Sequence, residues 1–228
     1  VGTVSLPALS KAFKNKNIKK LSNIQSKSFE LSLLLSLPAS LGLILASEEI
    51  VNALFGYGSF SKSDVEMTSK ALKYFGYGVP AFALVKILSN FFFARNNTKT
   101  PFYISTVIIA INVSISLSLF SKIGFLIIPI ATTISTWVGV LIYIYLLSKK
   151  KSLLLNKQLI PNFIKILVST LIMSIIMVLL LNNYENYLNY LFKFKAIYLL
   201  LIVGFVGIIY LLSCYLFGIL KVKNYRTN

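Results

Sequence analysis

Residues 196–220 read AIYLLLIVGFVGIIYLLSCYLFGIL, and this run decides the fold. It carries no charge and, wound as a helix, is apolar on every side. Such a helix is stable only inside a large core or in lipid. About 20 apolar residues are enough to cross roughly 30 Å of hydrocarbon. A barrel strand would alternate polar and apolar residues, which Leu199, Leu200, Leu201, Ile202 and Val203 in succession do not.

Five more stretches meet the same length, at approximately 29–47, 71–94, 102–120, 123–147 and 163–181. Residues 1–9 read as the tail of a further one, so the chain is expected to be a piece whose front is missing. The composition agrees with this reading. Only 13% of the 228 residues are charged, against roughly 25% in a soluble domain, and the mean hydropathy is +0.79. The expected fold is an all-α, polytopic transmembrane bundle forming a single membrane domain. No linker, soluble domain or internal repeat breaks it.

The charge is lopsided, with 23 Lys+Arg against 6 Asp+Glu, a net +17. The basic residues sit in short loops between apolar spans rather than in a nucleic-acid motif, so nucleic acid is not an expected partner. Their placement alternates. Lys11, Lys14, Lys16, Lys19, Lys20 and Lys27 precede the span at 29–47, and Arg95 and Lys99 follow the next span. Lys149, Lys150, Lys151, Lys157 and Lys165 come two spans later, and Lys221, Lys223 and Arg226 form the tail. The intervening loops hold Glu48, Glu49, Asp64, Glu66 and Glu185 against Lys62, Lys70 and Lys122, with Lys193 and Lys195 at the end of the last loop. By the positive-inside rule the first set faces the cytoplasm and the C-terminus is inside. Tyr184, Tyr187, Tyr190 and Phe192 then form an interfacial belt on the outer side.

The inventory of reactive groups is poor. There is no histidine, and the single Cys214 lies within the last span. Glu30 sits at the inner mouth of the first full span and the other acids in outward loops, with no metal-ligand spacing. No enzyme chemistry, metal or cofactor is expected. Gly56-Tyr57-Gly58 and Gly76-Tyr77-Gly78 look like a potassium filter but lack its preceding Thr-Val.

Lys86 stands apart, about 8 residues or about 12 Å inside its helix. A charge so deep costs at least about 2.5 kcal/mol unless it meets water or a partner. Either its stem snorkels to the inner headgroups or it faces a hydrated cavity and holds an anion. Pro38, Pro80 and Pro129 fall inside spans, where each removes a backbone bond and is expected to kink its helix as a gate or cavity shaper. Ala131, Thr132, Thr133, Ser135, Thr136 and Gly139 crowd one span and allow close helix approach. The last two spans are greasy throughout, which suits lipid contact or a groove for a long hydrocarbon tail.

Four ordered motifs resemble the MurJ/MviN family. Gly2-Thr3-Val4-Ser5-Leu6-Pro7-Ala8-Leu9-Ser10 is similar to a helix end of that family, and Leu54-Phe55-Gly56-Tyr57-Gly58-Ser59-Phe60-Ser61 to its periplasmic loop. Leu84-Val85-Lys86-Ile87-Leu88 resembles its tenth helix, and Phe93-Ala94-Arg95-Asn96-Asn97-Thr98-Lys99-Thr100-Pro101 the cytoplasmic turn that follows. The resemblance implies the C-terminal lobe of a fourteen-helix flippase, from the end of helix eight onward. Its superfamily, MOP, includes the MATE exporters. The implied activity is movement of lipid II, the undecaprenyl-diphosphate-linked peptidoglycan precursor, to the outer leaflet of the bacterial inner membrane.

The implied partners are lipid II, membrane lipids and the absent N-terminal lobe. The resemblance makes Lys86, Arg95 and Lys99 candidates for a cationic cavity, and makes the last two helices a groove for the prenyl tail. The family's transport arginines lie in segments not present here. Another polyprenyl-oligosaccharide flippase or a MATE-like exporter is the alternative. A membrane transferase would need a His or paired acids, and a scaffold would leave Lys86 unexplained.

Overall fold

The computed structural model describes residues 2–189 and 193–219, with side chains from Ser5 onward. Tyr190, Phe192, Leu220 and the basic tail therefore lie outside the described residues. The described residues form α1 (Gly2–Lys14), α2 (Ile18–Leu45), α3 (Ser47–Phe55), α4 (Lys62–Phe93) and α5 (Lys99–Ile123). They continue through α6 (Ile127–Lys149), α7 (Leu159–Asn183), the single turn α8 (Glu185–Leu188) and α9 (Lys195–Leu216), with no strand among them.

Lys99–Lys149 reads as one apolar stretch of 51 residues. As a single helix it would be about 76 Å long, far more than a bilayer accepts. It folds back at a 3-10 turn, Gly124–Leu126. Gly124 supplies φ +71 and ψ −152 there, a region open essentially to glycine alone. The resulting α5–α6 hairpin is tied by Asn112 Nδ2 donating to Thr132 Oγ1 at 2.9 Å, and Gly139 lets Ile108 lie against the α6 backbone. Among the described residues five apolar helical stretches are long enough to cross a membrane, namely α2, α4, the α5–α6 stretch, α7 and α9, and the hairpin makes two antiparallel helices of the third.

α2 and α4 outrun the spans expected of them. At 28 and 32 residues they extend to about 42 and 48 Å. Their extra turns are polar and are held by local bonds that hydropathy does not register. Asn17 accepts from the Lys20 N–H at 2.9 Å at the start of α2. Ser61 and Asp64 form a capping box at the start of α4, and Glu66 pairs with Lys70 one turn on at 2.8 Å.

α2 is the spine. Its first half packs with α1 and α4, and α4 in turn carries the α5–α6 hairpin, around Leu9, Phe29, Leu88, Phe91, Phe92 and Tyr143. Its second half meets α3 and the α7–α9 pair around Leu34, Ile166, Met173, Met177 and Val206. The α1–α2, α4–α5 and α6–α7 connections meet at one end, which holds the basic residues from Lys11 to Lys27 and from Lys149 to Lys165. There Arg95 Nη2 and Gln25 Nε2 both donate to the Ser152 carbonyl, at 2.8 and 3.2 Å. The Leu154 N–H returns to Gln25 Oε1 at 2.8 Å. Glu48, Glu49, Asp64, Glu66 and Glu185 gather at the opposite end, on α3, α4 and α8.

Candidate functional site

Two places on this scaffold invite a ligand. The first is a cavity of about 650 Å³ between α2, α7 and α9, walled almost wholly by apolar side chains. α9 packs on α7 and, at its N-terminal end, on α3, and it faces α2 across the gap. Gly42, Gly204 and Gly207 line the space, and a Cβ on any of them would meet nothing within 4 Å. The glycines thus hollow out the wall. Met173 and Met177 supply flexible thioethers from α7, side chains that adapt to the outline of an irregular chain.

The second is the open side of α4 that carries Lys86. Its ammonium is exposed and finds no hydrogen bond or ion-pair partner among the described residues. The other two candidate cations lie elsewhere. Lys99 is exposed at the first position of α5. Arg95, half-buried in the α4–α5 turn, holds the Ser152 carbonyl and lies 5.5 Å over the Phe13 ring. Burial lowers its guanidinium below the usual arginine range. Arg95 is therefore already engaged in binding α1 to the α6–α7 loop. About nine residues, or about 13 Å of helix, separate it from Lys86, so the three cations do not form one cluster.

The prolines divide. Pro129 is the third residue of α6, in the first turn, where its missing N–H would have no intrahelical partner. It opens α6 and does not kink it, contrary to the expectation from the span boundaries. Pro38 and Pro80 lie inside α2 and α4, and each leaves the carbonyl four residues back without its usual donor. Both carbonyls are filled. Ser40 Oγ donates to Gly76 at 2.7 Å, and the Tyr210 hydroxyl donates to Leu34 at 2.7 Å. Around Pro80, α6 adds Thr133 Oγ1 to the Tyr74 carbonyl at 2.8 Å and Trp137 Nε1 to that of Tyr77 at 3.1 Å.

Lys195 is the charged residue that sequence reasoning passed over, since it reads as the end of a loop. It is wholly enclosed. Its ammonium donates to Asn52 Oδ1 at 2.8 Å and to the Gly56 carbonyl at 2.7 Å, and lies 4.1 Å over the Tyr57 ring. Asn52 Nδ2 in turn donates to the Leu188 carbonyl at 3.0 Å. A Cβ at Gly56 would overlap Asn52 and press on the ammonium, so the Gly56-Tyr57 step is built for this lysine. The node ties α3 to the α8–α9 junction at one end of the apolar cavity.

With that geometry in view, comparison with known proteins is decisive. A family model described as lipid II flippase MurJ matches residues 1–201. The chain belongs to the MurJ family. A "Probable lipid II flippase MurJ" of Rickettsia prowazekii (strain Madrid E) is 35% identical over 99% of the chain and 44% of the relative. One of Rhizobium tropici is 31% identical over 100% of the chain and 43% of the relative. A solved structure, "Lipid II flippase MurJ, inward closed conformation", superposes with a TM-score of 0.76 at 27% identity, covering 95% of this chain and 42% of that one. The chain thus spans less than half the length of the MurJ relatives it matches. It is a multi-pass membrane chain of the MurJ family, and its relatives are named as flippases.

Proposed function

We propose that this chain is the C-terminal part of a lipid II flippase of the bacterial inner membrane. In this reading the cavity between α2, α7 and α9 seats the polyprenyl tail, while Lys86 faces the path of the anionic headgroup. One observation carries it: a large apolar cavity hollowed by glycines between helices that have no soluble role. A long hydrocarbon chain fits such walls, which offer it dispersion contact and ask for no polar partner. Lys86 supports the second half, because an ammonium inside a membrane helix with no partner among the described residues is suited to a water-filled space shared with the other lobe. The transported unit would be an undecaprenyl-diphosphate carrying disaccharide-pentapeptide, with the lysine-rich end and the C-terminus in the cytoplasm.

Gly207→Leu tests the tail seat in the full-length protein, because the Cβ it adds meets nothing within 4 Å and the rest of the side chain extends from the cavity wall. The expected result is loss of complementation in a flippase-depleted strain, with membrane expression retained. Lys86→Ala is expected to do the same and Lys86→Arg to complement. Normal growth with Gly207→Leu would remove the tail seat, and normal growth with Lys86→Ala would remove the headgroup role.

A further inference from the structure

The two filled proline carbonyls are bridged by very different donors, and the contrast is informative. α2 and α4 pack directly against each other, so the short hydroxyl of Ser40 reaches the Gly76 carbonyl. α2 and α9 stand apart across the cavity, and only a long side chain can reach from one to the other. Tyr210 does so, 5% exposed, with its hydroxyl on the Leu34 carbonyl. Leu34, Pro38 and Tyr210 all belong to the cavity wall.

A phenol in an apolar wall needs an acceptor, and the carbonyls of an intact helix are already committed along its axis. Proline at position 38 frees one of them at the level of Tyr210. We propose that Tyr210 is a positioning residue of the groove: by engaging the carbonyl that Pro38 releases, it fixes how far α9 stands from α2. This assignment rests on the groove being the tail seat, and it adds which residue pair sets the groove's width. Loss of the bond frees α9 to pivot on α7, and a tail then meets walls of variable spacing.

Cys214 follows Tyr210 by one helical turn, is completely buried, is the chain's only cysteine and neighbours the Tyr210 hydroxyl, so Pro38→Ala, which leaves that neighbour in place, is the variant that reports movement of α9. The test uses the full-length protein in nanodiscs with Cys214 as its sole thiol, and follows alkylation by N-ethylmaleimide. Tyr210→Phe removes the donor. Pro38→Ala restores an N–H that competes for the Leu34 carbonyl and draws it back along α2. Tyr210→Phe is expected to raise the alkylation rate about fivefold, as loss of one net hydrogen bond would.

Pro38→Ala is expected to move the rate in the same direction, and the double variant to add nothing to the larger single effect. An unchanged rate in either single variant overturns the assignment, and so do additive effects. Binding of undecaprenyl phosphate separates the underlying reading. If Gly207→Leu leaves that binding intact, the tail seat fails while the alkylation result still stands for the clasp. If Gly207→Leu abolishes binding but Tyr210→Phe leaves alkylation unchanged, the clasp fails alone.

Discussion

Lys195 and Lys86 carry the same charge on helices of the same bundle, and their surroundings set them in opposite roles. Lys195 has its donors engaged by Asn52 and Gly56 and its face on Tyr57, so it holds structure. Replacing it by Met leaves a buried amide oxygen and a buried carbonyl without a donor, a cost of about 1–3 kcal/mol each. Lys195→Met should therefore lower the thermal midpoint in detergent by several degrees, and an unchanged midpoint would show the node to be dispensable. Glu49 shows the converse. Half-buried at the start of α3, it has its carboxyl raised above the ordinary range, first by burial and then by neighbouring Glu48. The folded state thus resists its ionisation. The cost is present in full above the raised pKa and fades as pH falls through the usual glutamate value of about 4.3. Glu49→Gln should raise the midpoint near neutral pH, and the gain should shrink on acidification. A gain independent of pH would exclude the charge as its cause.

At the scale of elements, apolar length located the long helices among the described residues, while helix ends followed other physics. The inner loop expected before residue 29 and the outer loop expected up to residue 70 are largely helix. Asn17, the Ser61–Asp64 box and the Glu66–Lys70 pair carry the backbone beyond the lipid. A hydropathy window registers none of these, because caps and ion pairs are polar. The α6–α7 loop is likewise more ordered than its lysines suggest, strapped to α2 through Gln25 and Ser26 and to the α4–α5 turn through Arg95. A hydrogen bond from a charged donor contributes about 1.5–3 kcal/mol. Arg95→Ala should then speed trypsin cleavage at Lys149–Lys151 by roughly tenfold or more, as local opening becomes easier. Equal cleavage rates would show that the bonds to α2 through Gln25 and Ser26 secure the strap without Arg95.

Across the whole molecule, charge is sorted by end. The α1–α2, α4–α5 and α6–α7 connections meet in one basic layer, and all the acids except Glu30 lie at the other end. Glu30 is taken up by Asn162 Nδ2 at 3.1 Å, beside the basic layer. This sorting is what an orientation signal requires. A cysteine at Ser63 in the full-length protein should react with an impermeant maleimide on intact cells, and one at Asn156 should react only after lysis. The reverse pattern would invert the topology. The same view explains why the candidate cations were only partly legible in the sequence. Lys86, Arg95 and Lys99 look alike as basic residues near one end, and the difference between an open ammonium and a guanidinium tied to Ser152 and Phe13 arises from segments far apart in the chain.

By itself the sequence determined that the chain is helical, has spans long and apolar enough to cross lipid, and keeps most of its lysines apart from its acids. These follow from apolar length and charge order, both local along the chain. Only the tertiary structure decided that Pro129 begins a helix, that Lys195 is enclosed, and that Tyr210 and Ser40 answer the carbonyls freed by Pro38 and Pro80. Those outcomes depend on which atom of a distant helix arrives within 3 Å of an unsatisfied group, and spacing along one helix does not encode that.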